Sequence, residues 1–441
     1  MPRWPTSSQI RMIKKKSFVN GLTFWTVFAI FSCALVVGKL VNICFYLLLV
    51  IAIVELIAEP NARNDFWLTC KKYWPINLGM CSALIAILLR QLSQAEFTVR
   101  LYDLPARFAL FALLFWLLLK LPSEWLKKIK WSFVCGAIIY TVTVYIDTKD
   151  AGMRVDNINS FSIIFSSELA LLMAVFSILS IAWVDPTQLG ARQILPRRTL
   201  TLALLIVAGV CGLFSVYLSQ TRGAWIAIPF FVFIAVSTLM HQQKTRTKIF
   251  TYVAIVVTLI VLSSATDIVK DRIIDAQQNI TEFTLKTNLD TSVGVRFQLW
   301  NASWIMFKEH PIFGVGKENF SDELHTLKDR GIITEAAAKQ YHSHDEILYG
   351  MSTLGIFGLL ATLITYLVPG YYFGKNMFHS NGQIHAAAAM GLSLCIGYFI
   401  FGLVDVMFGW NMCNVFYTIS IAVLLAFIVN KNNELATSPK H

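Results

Sequence analysis

A chain of 441 residues with 56% hydrophobic and only 14% charged side chains, and a mean hydropathy of +0.60, is too apolar for a soluble globular protein. Its 37 Lys and Arg outnumber 26 Asp and Glu for a net charge of +11; in so apolar a chain this excess reports membrane topology, not nucleic-acid binding. The sequence therefore predicts an all-α integral membrane protein.

Crossing a bilayer takes ~20 helical residues. Apolar runs approaching that length, separated by polar punctuation, predict about twelve transmembrane helices. They cover Ser17 to Gly38, Leu40 to Ile57, Trp74 to Leu92, Ala106 to Lys120, Trp131 to Ile146 and Asn159 to Val184. The second half adds Leu200 to Leu218, Ala224 to Met240, Ile249 to Ser264, Glu346 to Phe373, Ile384 to Phe408 and Met412 to Val429. The first run lacks the short apolar core and small-residue cleavage site of a signal peptide, so it reads as a real helix.

Lys and Arg favour cytoplasmic connections. With the basic tail Gln9 to Lys16 inside, the second, fourth, sixth and eighth connections are inside too. These carry Arg63, Lys71 and Lys72; Lys127, Lys128 and Lys130; Arg192, Arg197 and Arg198; and Lys244, Arg246 and Lys248. Both termini are then cytoplasmic. Eight cysteines, Cys33, Cys44, Cys70, Cys81, Cys135, Cys211, Cys395 and Cys413, lie in or beside apolar runs without metal-type spacing and read as small core residues.

One outer connection, Ala265 to His342, is long and polar. Within it, Phe297, Trp300, Trp304 and Phe307 recur at helical spacing before Pro311, predicting an amphipathic helix that lies on the membrane or caps the bundle. No repeat or second domain interrupts the pattern, so residues 1–441 form a single polytopic domain with a large helical loop over 265–345.

Arginines stand on the outer side, where topology disfavours them. Arg90, Arg100 and Arg107 flank "RLYDLPAR", Arg154 follows "DAGM", Arg222 occupies the tight turn "SQTRGAW", and Arg296 lies in the large loop. Guanidinium groups near a bilayer either snorkel to headgroups or face a polar cavity. Converging in a cavity, their planar forks suit a phosphate or pyrophosphate.

The segment "YHSHDEILYG", Tyr341 to Gly350, enters the tenth span from the same side. Extended backbone would point His342 and His344 the same way, whereas a helix would separate them by about 200°. Three roles are open: metal ligands with Asp345, a capped helix start with acids in its first turn, or a general base and its neighbour. Asp405, in "FGLVDVMFGW" near the outer end of the eleventh span, is an acid that pairs with an arginine or a histidine.

In that order, "SQTRGAW", "RFQLWNASWIMFKEHPIFGVGKENF" and "HSHDEILYGMSTLGIFG" resemble the bacterial O-antigen ligase family and its superfamily of O-antigen polymerases and protein O-oligosaccharyltransferases. The motifs run from about Leu204 to Gly358, and the topology fits along the whole chain. The resemblance implies a GT-C-type glycosyltransferase of the bacterial inner membrane with its active site facing the periplasm. Such an enzyme moves a preassembled glycan from undecaprenyl pyrophosphate to a hydroxyl of the lipid A-core oligosaccharide, by inversion, with no metal and no cofactor.

Carried over by motif, His344 is the catalytic base, and Arg222 and Arg296 bind the donor pyrophosphate, with Arg154 and Arg107 matching weaker patterns. His342, Asp345 and Asp405 support them. The family usually has Asn after its histidine; here Asp345 stands there, so a carboxylate is available to orient the imidazole. The same donor would serve a polymerase or a protein O-oligosaccharyltransferase, although a protein-acceptor enzyme often carries an extra soluble region, absent after Val429. From another class, an anionic-lipid transporter would use the arginines without chemistry, but the spans lack the duplicated halves frequent in such proteins.

Overall fold

The computed structural model describes residues 7–33, 36–94, 97–151, 157–158, 161–184, 191–264 and 266–437. The first helices are α1 (Ser7–Cys33), α2 (Leu40–Ala58), α3 (Ala62–Lys72), α4 (Trp74–Gln94), α5 (Asp103–Ala109), α6 (Phe111–Leu119), α7 (Ser123–Lys128) and α8 (Lys130–Ala151). Two antiparallel strands of two residues each, β1 (Asn157–Ile158) and β2 (Phe161–Ser162), precede α9 (Ile163–Leu179). Next come α10 (Ala191–Ser219), α11 (Arg222–Leu239), α12 (Thr245–Ser264), α13 (Asp267–Thr284), α14 (Ser292–Glu309), α15 (Phe320–Asp329) and α16 (Glu335–Ala338). The chain closes with α17 (Glu346–Asn376), α18 (Gly382–Gly402) and α19 (Asn411–Thr437).

Among the described residues, 11 helical stretches are long and apolar enough to cross a membrane, and they coincide with eleven of the twelve expected spans. The remaining one is α1, where the basic start and Asn20 dilute a shorter apolar run. It nevertheless packs on α2 and α8 as a member of the bundle. In its best apolar stretch α19 is 94% buried, and α9 and α18 are 83% buried, so these three form the centre. Their sequences follow from that position. A helix surrounded by protein has no polar face to present, and α19 is apolar on all sides from Met412 to Ile428 apart from Asn414, Tyr417, Thr418 and Ser420. At the periphery α12 touches chiefly α11 and α13.

The long connection between α12 and α17 folds into α13 to α16 over a second, smaller core of Leu299, Ala302, Met306, Val315, Phe320, Leu324, Leu327 and Ile333, with Tyr349 packed against it. The helix expected around Phe297 to Phe307 is α14, capped by Thr291 Oγ1 accepting the Gly294 N–H at 3.0 Å. Its buried stripe is Leu299, Ala302 and Met306. The aromatic residues lie outside that stripe: Phe297 packs on Trp300 and on Phe283 of α13, Trp304 packs on Phe307, and only Trp304, at 45%, is well exposed.

The tenth expected span is two segments. Gly355 has φ +63°, outside helical space, and any Cβ there would meet the Ile312 carbonyl. Eight residues of straight helix would separate Gly350 from Gly358 by about 12 Å, yet the Gly350 carbonyl lies where a Cβ on Gly358 would stand. The chain therefore folds back sharply at Gly355, dividing a short outer arm, 346–354, from a membrane-crossing arm, 356–376. The turn "HPIFGVG" clamps this bend: Val315 N–H donates to Ser352 O and Gly316 N–H to Thr353 O, both at 2.9 Å, while Ile356 N–H donates to Pro311 O at 2.9 Å. Gly316, at φ +97°, makes room for Arg90 of α4, whose Nη2 donates to Val315 O at 2.6 Å. Arg90 is thus an anchor for the outer loop.

Candidate functional site

The segment before α17 turns on Asp345, whose Oδ1 accepts the Leu348 N–H at 2.8 Å and caps the short arm. Burial raises the Asp345 carboxyl above its usual range, only partly offset by the backbone N–H groups it accepts. Ser343, fully buried, donates to Asp345 O at 2.6 Å and accepts the Asp345 N–H at 3.3 Å. Between them His344 adopts φ +52°, a left-handed conformation rare for a side-chain-bearing residue and typical of functional segments. The imidazoles of His342 and His344 come within 4.4 Å, centre to centre, and the His344 N–H reaches His342 Nδ1 at 3.3 Å.

Both rings face Asp405, on the connection between α18 and α19. His344 Nδ1 lies 3.3 Å and His342 Nδ1 3.8 Å from Asp405 Oδ1, which also accepts the Val406 N–H at 2.8 Å. The His344 approach is close but its alignment falls short of a formed hydrogen bond. The connection is tied back to α17 by Glu346, whose Oε2 accepts the Phe408 N–H at 2.8 Å. The residue after the cap therefore holds the loop that carries the carboxylate facing the histidine. Burial raises the Asp405 carboxyl, but the two imidazoles and the Val406 N–H outweigh it and hold Asp405 below the usual carboxylate range. Burial pushes His342 down to about 4 despite Asp405, with His344 and Arg296 adding to the fall. His342 is thus neutral near pH 7.

Asp405 also forms part of the wall of a cavity of about 250 Å³, with Glu168 of α9, Gln220 and Thr221, Arg222 of α11, Arg272 of α13, and Arg296 of α14. The tight turn is fixed by hydroxyls: Thr221 Oγ1 is 2.9 Å from both Ser167 Oγ and Ser219 Oγ, which places Arg222 at the first position of α11. Arg272 Nε donates to Gln220 Oε1 at 2.7 Å, docking the outer loop onto the same turn. A trio of guanidinium groups from three helices beside an imidazole pair can hold a multiply charged anion and move a proton next to it. The groups that could ligate a metal are also here: one donor atom each from His342, His344 and Asp405 lies within 4.8 Å of the others.

Of the residues singled out from sequence, Arg222, Arg296, His342, His344 and Asp405 are brought together. Asp345 caps the helix, and Asp405 takes the place beside the imidazole expected for it. Arg107 lies apart from the cavity, buried and engaged with Asn42 Oδ1 at 2.9 Å, Asp103 and Tyr46, and stacked on the Phe45 and Tyr46 rings. Arg100 is exposed, and Arg154 lies outside the described residues. Two members escaped the sequence reading. Arg272 is another arginine of the same long connection as Arg296, and Glu168 is a carboxyl inside an apolar span; the signals used for Arg296 and Asp405 apply to them equally. Glu168 is 1% exposed, and its Oε2 is without a hydrogen-bond partner.

Residues 207–363, which carry Arg222, Arg272, Arg296, His342 and His344, match the model of a protein family described as O-Antigen ligase. Over this segment, about a third of the chain, the protein is similar to that family. An O-antigen ligase of Escherichia coli (strain K12) is 26% identical over 239 residues, 53% of this chain and 53% of that protein. A protein of Haemophilus influenzae described as uncharacterized is 26% identical over 227 residues, 51% of this chain and 55% of its own length. The matches thus span about half the length of these relatives. Glu168 and Asp405 lie outside the O-antigen ligase segment, on α9 and on the α18–α19 connection, and the fold returns both to its cavity.

Proposed function

We propose that this protein transfers a preassembled glycan from undecaprenyl pyrophosphate to a hydroxyl of the lipid A-core oligosaccharide. The reaction inverts the anomeric carbon, needs no metal and takes place at the periplasmic face of the bacterial inner membrane, within a GT-C-type architecture. One observation carries this reading: Asp405 belongs both to the imidazole pair and to the cavity of three arginines. A proton acceptor and an anion clamp thereby share one wall.

Arg222, Arg272 and Arg296 hold the pyrophosphate, with Arg154 added on its sequence motif alone; Arg107 is left out because its guanidinium is engaged with Asn42, Asp103 and Tyr46. With Nδ1 turned to Asp405, His344 offers Nε2 to the acceptor hydroxyl. His344 takes the proton as that oxygen bonds to the anomeric carbon from the face opposite the donor phosphate. The bond from carbon to phosphate oxygen breaks, and undecaprenyl pyrophosphate departs with the electron pair into the guanidinium groups, where preplaced donors meet the developing charge. A placed base typically contributes ~10²–10⁴-fold.

The lipid half of the donor has a route as well. An apolar groove of about 460 Å³ runs beside Phe214, Tyr217, Trp225 and Leu259, and shares Val210, Leu213 and Ile228 with a further apolar cavity of about 180 Å³. Tyr217 lies in the last turn of α10, three residues before Gln220 and five before Arg222, so a polyprenyl chain can leave the pyrophosphate into this groove.

The test is reconstitution in proteoliposomes with an undecaprenyl pyrophosphate-linked glycan and lipid A-core. Glycan appearing on lipid A-core, abolished by His344→Ala, is the expected result. Glycan joined to glycan would make the protein a polymerase, glycan on a protein an oligosaccharyltransferase, and lipid movement without transfer a transporter.

A further inference from the structure

A second polar cavity, of about 230 Å³, lies on the other side of the α18–α19 connection. Its lining includes Asn42 of α2, Ser162 and Phe165 at the start of α9, and Trp410 and Asn411 at the start of α19. The arginine cavity uses Ile164, Val404 and Asp405 from the same two stretches. The two cavities are therefore neighbours across segments only a few residues long.

We propose that this second cavity binds a sugar ring, an inference that rests on the glycan-transfer reading for its ligand class. Three features of the lining carry it. Trp410 is 40% exposed and its ring is steadied by Phe165 at 5.3 Å, so a flat aromatic surface is held at the cavity wall. A sugar presents a face of C–H groups that packs on such a ring, with hydroxyls around its edge. Asn411 Oδ1 is buried without a hydrogen-bond partner, a cost that a ligand hydroxyl would remove. Asn42 Oδ1 accepts Arg107 Nη1 at 2.9 Å, which fixes the amide and leaves its N–H groups to donate elsewhere.

No charged side chain is among the described lining residues. The Asn42 and Asn411 amides suit hydroxyl groups and make the site a poor match for a bare lipid tail. A neutral, hydroxyl-rich ring matches it. Arg107, buried beneath Asn42, is a positioning residue for this pocket, which accounts for an outer-side arginine that the first cavity does not use.

The ring belongs either to the acceptor oligosaccharide or to the donor glycan, and kinetics with purified protein in nanodiscs separates the two. Trp410→Ala and Asn411→Ala are each expected to raise the KM of one substrate about tenfold, with kcat changed less than about twofold and thermal stability retained. Trp410→Phe, which keeps an aromatic face, should recover most of the loss. A rise confined to the acceptor KM assigns the ring to the acceptor, and one confined to the donor KM assigns it to the donor glycan. Unchanged KM values for both substrates overturn the proposal.

Binding is read separately by saturation-transfer NMR, using free core oligosaccharide and free donor glycan as probes against wild type, His344→Ala and Trp410→Ala. Saturation of at least one probe by wild type and His344→Ala but not by Trp410→Ala supports the pocket even if no transfer occurs, in which case only the glycan-transfer reading fails. Saturation of neither probe, or equal saturation by all three proteins, overturns the pocket itself.

Discussion

His344 Nδ1 and Asp405 Oδ1 face each other at 3.3 Å, although one residue precedes α17 and the other follows α18. The pairing forms because the chain bends at Gly355, which returns the start of α17 to the α18–α19 connection, and because Glu346 ties that connection down through the Phe408 N–H. The carboxylate next in sequence, Asp345, is occupied by its own helix. A division of labour between two aspartates follows.

Asp405→Asn should lower transfer by about 10²-fold, by removing the charge that orients and stabilises the imidazolium, and His344→Ala by at least as much. Asp345→Asn should leave transfer within about twofold, since Asn caps a helix as well as Asp does, whereas Asp345→Ala should cost about 1 kcal/mol of stability. Turnover and thermal unfolding of the variants, measured side by side, check this. Equal loss of transfer in Asp345→Asn and Asp405→Asn would reverse the assignment.

Among the cavity arginines, Lys is expected to be a poor substitute. Arg222→Lys and Arg296→Lys keep the charge but lose the two-pronged fork, so each should raise the donor KM and lower kcat by about tenfold. Arg272→Ala should act mainly on the donor KM. Full activity of the Lys variants would show that charge alone suffices.

Stability should fall with acid through His342. Its folded pKa of about 4 lies below the ordinary 6.5, so the unfolded chain binds the extra proton between these values. Stability is therefore complete above about pH 6.5 and is lost as the pH drops towards 4, by up to about 3 kcal/mol. Thermal melts in nanodiscs across that range, compared with His342→Gln, should show the slope in wild type and a flatter profile in the variant.

Transfer should proceed unimpaired in excess chelator. His342, His344 and Asp405 offer three ligand atoms within 4.8 Å, which makes the test a real one. Activity lost to chelator and restored by a single divalent ion would convert the base into a metal ligand.

Gly355→Ala should destabilise the protein by about 1–3 kcal/mol, because φ +63° disfavours a side chain and the new Cβ would strike the Ile312 carbonyl. Histidine geometry should suffer with it, so transfer should fall even at temperatures where the variant remains folded. A Gly355→Ala protein with native melting and native rate would mean that the bend is not required.

The span pattern was legible because a bilayer imposes one length and one polarity on every crossing, and His344, Arg222 and Arg296 were legible because polar groups there conflict with that rule. The bend was not: "GMSTLGIFGLL" is continuous in hydropathy, and only the positive φ of Gly355 separates its two arms. Asp405 was legible as an acid near a span with an arginine or the histidine as its partner, but which of the two was not, since periodicity says nothing of which connections meet at one end of a bundle. The face of α14 was predicted from its aromatic spacing. Packing instead selected Leu299, Ala302 and Met306 for the loop core and left the rings outside.

The bend at Gly355 also makes α17 a ruler with a fixed zero. Its short arm is clipped to the loop at Ser352 and Thr353, so the number of residues between that clip and His344 sets the rotational phase of the imidazole. One residue inserted after Glu346 would turn the histidines by about 100° relative to the clip. The same insertion between Leu359 and Asn376 would shift only the membrane-crossing arm. Length variation is therefore tolerable on one side of this glycine and ruinous on the other.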